Sequence, residues 1–222
     1  MIRVHVICEG STEEDFVRDI LATHLNKKEI YLLPSCIGKV GHKGGNVNLQ
    51  RLETDVKNRL LEERQCFCTS FLDYYGLPDD FPGKKIAREA HDITEKQTII
   101  HQALTEHFQK KLDPEIASRF IPYIQMHEFE ALLFSNPYKL ACAIGCEYQK
   151  EAFAKIRNSF STPEWINDNL HTAPNKRISK IFPAYSKPIH PLLSAAEIGL
   201  ETIRQECKLF NSWIERLENL TQ

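Results

Sequence analysis

The chain has 222 residues, a formal charge of −2 and 42 % hydrophobic residues, twelve Phe and seven Tyr among the aromatics. That supports a sizeable core, excludes wholesale disorder and confines any phosphate-binding surface to a local patch. No apolar run is long enough to span a bilayer, no leader pattern opens the chain, and seven cysteines without a tight framework read as reduced thiols, so a cytoplasmic protein is expected.

The run Ile2, Val4, Val6 starts a strand over 2–7. Ser11-x-x-Glu14 is a capping-box pattern that opens a helix near Thr12, with Glu14 as the box partner and Phe16, Val17, Ile20, Leu21 and Leu25 as its apolar face. IYLLPSC at 30–36 predicts a second strand, followed by the Gly-rich loop GKVGHKGGNVN. Leu49, Leu52, Val56 and Leu60 recur at helical spacing, and CFCTSFLDYY predicts a third strand ending near Tyr75. Two prolines and two glycines make GLPDDFPGKK a loop. A helix follows over 92–112, then FIPYIQM as a fourth strand that turns straight into helix at HEFEALLF. This order predicts an α/β fold, a mostly parallel four-stranded sheet flanked by helices, over residues 1–135. From about 136 the pattern is helical and broken by prolines, a helical C-terminal region over 136–222 packed on the sheet.

In an open parallel sheet, ligands bind at the carboxyl ends of the strands. Glu9 follows the first strand, Asp73 lies near the end of the third, and Glu128 follows the fourth with Glu130 just beyond. Carboxylates gathered on one edge suit Mg²⁺ or Mn²⁺, and the chemistry that follows is metal-assisted phosphoryl transfer or phosphodiester hydrolysis. Taken singly, each acid also reads as a helix cap or a salt-bridge partner. Glu13 has two readings: a second carboxylate turned back to the strand edge, or an acid favoured by the helix macrodipole.

VICEGSTEEDFV resembles the first motif of Toprim-type domains, as in the overcoming-lysogenization-defect nucleases, where a strand is followed by E-G-x-T-E. FLDYYGLPDDFPG sits where those domains carry D-x-D. More closely, the chain resembles a bacterial family of Toprim-like proteins often encoded beside an SMC/ABC-type ATPase. The stretches that carry this include GGNVNLQRLETDV, PYIQMHEFEALLFS, PNKRISKIFPAYSK and EIGLETIRQEC. The resemblance implies a Toprim-like fold, a Mg²⁺- or Mn²⁺-dependent nuclease site, an ATPase partner and a role in antiviral defence. By motif, Glu9 is the general base or a metal ligand, and Glu13 and Asp73 are further metal ligands. The second acid of D-x-D is replaced by Tyr75, with Asp79 and Asp80 as possible substitutes. Glu128 and Glu130 belong to the closer family's own motif.

Other patterns carry a weaker signal. Lys39, His42 and Lys43 in the Gly-rich loop are candidates for phosphate binding, although the loop lacks the P-loop and dinucleotide signatures. Lys176, Arg177 and Lys180 in PNKRISK read as a nucleic-acid backbone contact or as a solvated charge run, and Lys84 and Lys85 likewise. His127 and His190 lack metal spacing, and no C-x-x-C pair exists. Tyr75, if still in the strand, shares a face with Asp73. Two function classes follow: a metal-dependent nuclease, with Glu9, Asp73 and Glu128 catalytic, or a non-catalytic Toprim-like subunit that binds an ATPase or nucleic acid.

Overall fold

The computed structural model describes all residues except 39–46, 167–171, 188 and 222. The elements, in order, are β1 (Ile2–Cys8), α1 (Ser11–Phe16), a π-helical turn (Val17–Leu21), α2 (Ala22–Leu25), β2 (Ile30–Cys36), α3 (Leu49–Glu62), β3 (Phe67–Asp73), α4 (Lys84–Glu89), α5 (Ile93–Lys111), α6 (Pro114–Ala117), β4 (Phe120–Ile121), β5 (Ile124–Gln125), α7 (Glu130–Leu133), α8 (Pro137–Ala143), α9 (Lys150–Asn158), α10 (Pro174–Ile181), α11 (His190–Ile198), α12 (Leu200–Glu206) and α13 (Lys208–Glu218). They fall into two compact units, Met1–Gln125 with Leu217–Gln222, and Met126–Arg216. The division comes before the boundary read at 135 from sequence, because α7 keeps company with α10 and α11.

The first unit is an α/β layer structure. Its strands run in the order β2-β1-β3-β4, with β5 also on β3, and all pairs are parallel. As an inner strand, β1 is covered on both faces: Val4, Val6, Ile7 and Cys8 are all fully buried, which is why its sequence alternates only weakly. Helices flank the sheet. α3 packs on β1 and β3, and α5 on β5. Phe16 and Phe71 meet edge to face at 6.1 Å, and Phe71 meets Tyr123 at 5.6 Å. Burial of each such ring contributes about 1.5–3 kcal/mol.

The fourth strand read from sequence is two short strands, because Pro122 has no N–H for the ladder. Ser70 bridges the break. Its hydroxyl accepts from the Tyr123 N–H at 3.1 Å and donates to the Tyr123 carbonyl at 2.9 Å. A second correction concerns the first helix, which starts at Ser11 rather than Thr12. Glu13 therefore takes the box position expected of Glu14, and Glu14 instead accepts from the Cys36 thiol at 3.0 Å.

The second unit is helical, as expected from its proline-broken pattern. Its core includes Leu132, Phe134, Phe153, Ile178, Phe210 and Trp213. Buried Glu164 caps α13, accepting from the N–H groups of Leu209 (3.0 Å) and Phe210 (2.9 Å). Among the described residues no helix is long and apolar enough to cross a membrane.

Candidate functional site

The first unit brings together the acids of the E-G-x-T-E and D-x-D segments. β1 ends at Cys8, but the Glu9 N–H still donates to the Phe71 carbonyl at 3.0 Å, so Glu9 stays in line with β3. Its side chain turns across to that strand's end, where Oε2 accepts from the Asp73 N–H at 2.9 Å. The chain then reverses: the Gly76 N–H donates to the Asp73 carbonyl at 3.1 Å. A Cβ on Gly76 would stand 2.7 Å from Glu9 Oε1, so only glycine leaves room for the carboxylate. Glu13, in the first turn of α1, accepts from the Gly10 N–H at 2.9 Å. Glu13 thus caps the helix through Gly10, the residue that follows Glu9.

Glu13 and Asp73 are buried, at 6 % and 8 % exposure. The negative potential registers on the neighbouring thiol: burial first, then the charges of Glu13, Cys36 and Glu14, push Cys8 well above the usual cysteine range. The donor set is oxygen only. Glu9 and Glu13 each accept one backbone N–H, which leaves further carboxylate lone pairs on both. Carboxylate oxygens are the ligand type that hard divalent cations such as Mg²⁺ and Mn²⁺ take.

Tyr75 departs from the expected geometry. β3 ends at Asp73, and 74–76 form a turn, so strand alternation does not place Tyr75 on Asp73's face. Its ring is 38 % exposed. Asp79 is bonded to Arg88, and Asp80 is exposed. Sequence reasoning missed Lys84 in this neighbourhood. Read from sequence as a nucleic-acid backbone contact or a solvated charge, it is instead 5 % exposed, lies over the Tyr74 ring at 3.3 Å to the centroid and donates to the Tyr74 carbonyl. It supports the turn from below, and only the Gly83–Lys84 helix start, with Gly83 in the left-handed region at φ 77°, puts it there.

The second unit holds Glu128 and Glu130. His127, just before them, adopts φ 43°, a left-handed conformation that costs a non-glycine residue about 1–2 kcal/mol. Glu128 Oε2 accepts from the Asn175 N–H at 3.1 Å, at the start of α10. Glu130 pairs with Lys187 at 3.2 Å. Burial, then the charges of Glu130 and Glu128, raise the Tyr185 hydroxyl far above the ordinary tyrosine range. The motifs PYIQMHEFEALLFS and PNKRISKIFPAYSK thus meet in one polar cluster. His190, which lacks metal spacing in the sequence, accepts from the Ser186 N–H at 2.7 Å and stacks on Tyr185 at 5.5 Å.

The phosphate-binding candidates divide. Lys176 is exposed on α10. Arg177 is anchored instead: Nε donates to the Thr172 carbonyl at 2.6 Å, the guanidinium lies 5.3 Å from the Phe160 ring, and burial lowers its pKa. Lys43, with Lys39 and His42, lies outside the described residues.

A comparison with curated proteins found no match. Among solved structures, the chain is similar to the C-terminal region of the Burkholderia pseudomallei OLD protein. The two are 14 % identical, with 99 % of this chain and 98 % of that one covered and a TM-score of 0.48. A family profile matches residues 8–218, a span that takes in the strand-end acids and both motifs of the helical unit, and the chain belongs to that family, Domain of unknown function (DUF4276).

Proposed function

We propose that this protein is a Toprim-like, divalent-metal-dependent nuclease that hydrolyses phosphodiester bonds, acting with an SMC/ABC-type ATPase in antiviral defence. The observation that carries the reading is the seating of Glu9 against the Asp73 backbone, with Glu13 tied to the next residue and Gly76 cleared of any side chain. The acid-bearing segments are those that resemble the Toprim nucleases; the ATPase and the defence role rest on that resemblance alone.

In this reading Glu9, Glu13 and Asp73 hold Mg²⁺ or Mn²⁺, which supplies charge neutralisation and an activated water when bound. The Asp73 N–H holds Glu9 Oε2 at the end of β3, where Glu9 acts as a metal ligand or as the general base for the attacking water. In the second unit, Glu128 is a further candidate acid and Lys176 is the candidate contact to the nucleic-acid backbone.

The second reading is a non-catalytic subunit that binds the ATPase or nucleic acid. Tyr75 in an exposed turn, where the second aspartate of D-x-D belongs, favours it.

The test is cleavage of plasmid DNA and of RNA by the purified chain with Mg²⁺ or Mn²⁺ and with EDTA. The nuclease reading expects cleavage that EDTA abolishes and that Glu9→Gln and Asp73→Asn each lower by about 10²-fold or more while melting like the parent. Glu128→Gln, assayed separately, reports on the second unit. Cleavage that survives both first-unit substitutions overturns the nuclease reading. Absence of cleavage with metal-independent partner binding establishes the second.

A further inference from the structure

The amino end of β3 carries a second group of ligand-type side chains, far from the acids just described. Asp73 closes β3, and Cys66 immediately precedes it. A seven-residue strand separates the two places by about 20 Å. At this end, His5 projects from β1, and Glu63 and Cys66 come from the turn between α3 and β3. One ligand atom from each lies within 4.8 Å of the others. His5 Nε2 stands 3.4 Å from Glu63 Oε2.

We propose that His5 Nε2, Glu63 Oε2 and Cys66 Sγ bind a borderline-soft divalent cation of the zinc class. The donor set is nitrogen, oxygen and sulfur, the mixture that tetrahedral Zn²⁺ takes and that Mg²⁺ does not. Ligands of a tetrahedral ion stand about 3.3–3.8 Å apart, so the group needs only a small contraction to close on one.

Two ligands come from one tight turn, in which the Cys66 N–H approaches the Glu63 carbonyl at 3.4 Å. Arg119 pins that turn from behind. Its guanidinium donates to the carbonyls of Leu60 (3.0 Å), Glu63 (3.2 Å) and Cys66 (2.9 Å), which fixes the backbone bearing both side chains. Such outer support is what holds metal ligands in place. The third ligand rides on an inner strand of the sheet. Arg3 engages Glu63 through the other carboxylate oxygen, Oε1, at 3.3 Å, so Oε2 still faces His5.

The protonation states also suit a cation. Burial chiefly, with Arg59 and Arg3, lowers the His5 pKa, which keeps the ring neutral and a lone pair available at neutral pH. Burial and Glu63 raise the Cys66 thiol, so it enters as S–H. On binding, the S–H bond breaks, the sulfur lone pair forms the metal–sulfur bond, and the proton leaves to solvent. The fourth position is left for water.

The experiment is titration of the full chain with Co²⁺ and with Zn²⁺, followed by absorption and by thermal melting. The expected result is a sulfur-to-cobalt charge-transfer band that Zn²⁺ displaces, with a Tm rise on adding Zn²⁺. Cys66→Ser and His5→Gln should each lose the band and the Tm rise. Glu9→Gln and Asp73→Asn should keep both, since carboxylate oxygens give no thiolate band; failure here is therefore distinct from failure of the nuclease reading. Absence of the band in the parent chain overturns the proposal. So does a band that persists in Cys66→Ser, which would put the metal on Cys8 and Cys36 or on exposed Cys142. If Cys66→Ser melts below the parent without metal, Cys66→Ala and His5→Gln decide the matter.

Discussion

Gly76 shows how much can depend on one missing methyl group. Gly76→Ala puts a carbon 2.7 Å from Glu9 Oε1, and the carboxylate must move. A displacement near 1 Å at a reacting group costs about 10²-fold. On the proposed nuclease reading, the expected outcome is a metal-dependent cleavage rate lower by that factor with an unchanged melting temperature. Glu164 makes a different prediction. Burial raises its pKa from the ordinary 4.5 to about 7, against the pull of the N–H groups it caps. Between pH 4.5 and about 7 the folded chain keeps a proton that the unfolded chain has released. Stability therefore falls as pH rises through that window, by about 3 kcal/mol in all, and levels off above it. Glu164→Gln should flatten the slope, as urea unfolding across the range will show. Sequence alone exposed Glu9, Glu13 and Asp73, because a motif and strand ends mark them. Gly76, Lys84 and Glu164 were not legible there: each matters through a neighbour distant in sequence or across a turn.

At the scale of elements, the sequence pattern located β1, β2, α3, β3 and α5 to within a few residues, because the helices carry an apolar period and the strands are short apolar runs. It failed where one atom decides the outcome. Pro122 lacks an N–H, so the fourth strand divides, and the Ser70 hydroxyl carries the connection. Ser70→Ala strips the buried Tyr123 N–H and carbonyl of that partner together. The expected loss is about 2–4 kcal/mol in urea unfolding, larger than for a typical exposed serine. The shift of the first helix by one residue has a similar origin: Gly10 at the N-cap lets Glu13 fold back, and that changed which glutamate closes the capping box. Tyr75 moved off Asp73's face because β3 stops where its ladder partner β5 stops, at the Asp73–Gln125 pair. Ladder ends depend on the partner strand and are not written in the strand itself.

At the scale of the whole molecule, an α/β unit and a helical unit were both legible from the order of elements. What the order did not reveal is that α13 runs on into the first unit, whose residues resume at Leu217. Leu217 is fully buried, and Glu218 pairs with His24 at 2.6 Å and Lys28 at 3.5 Å. Leu217→Ala is expected to destabilise the chain by about 2–5 kcal/mol, read by denaturant unfolding. The same return has a consequence for biosynthesis. Domains generally mature as they leave the ribosome, amino-terminal parts first. Here the nascent sheet waits for Leu217 and Glu218, which are made after the entire helical unit, so closure of the α/β layer follows synthesis of the helices that intervene in the chain.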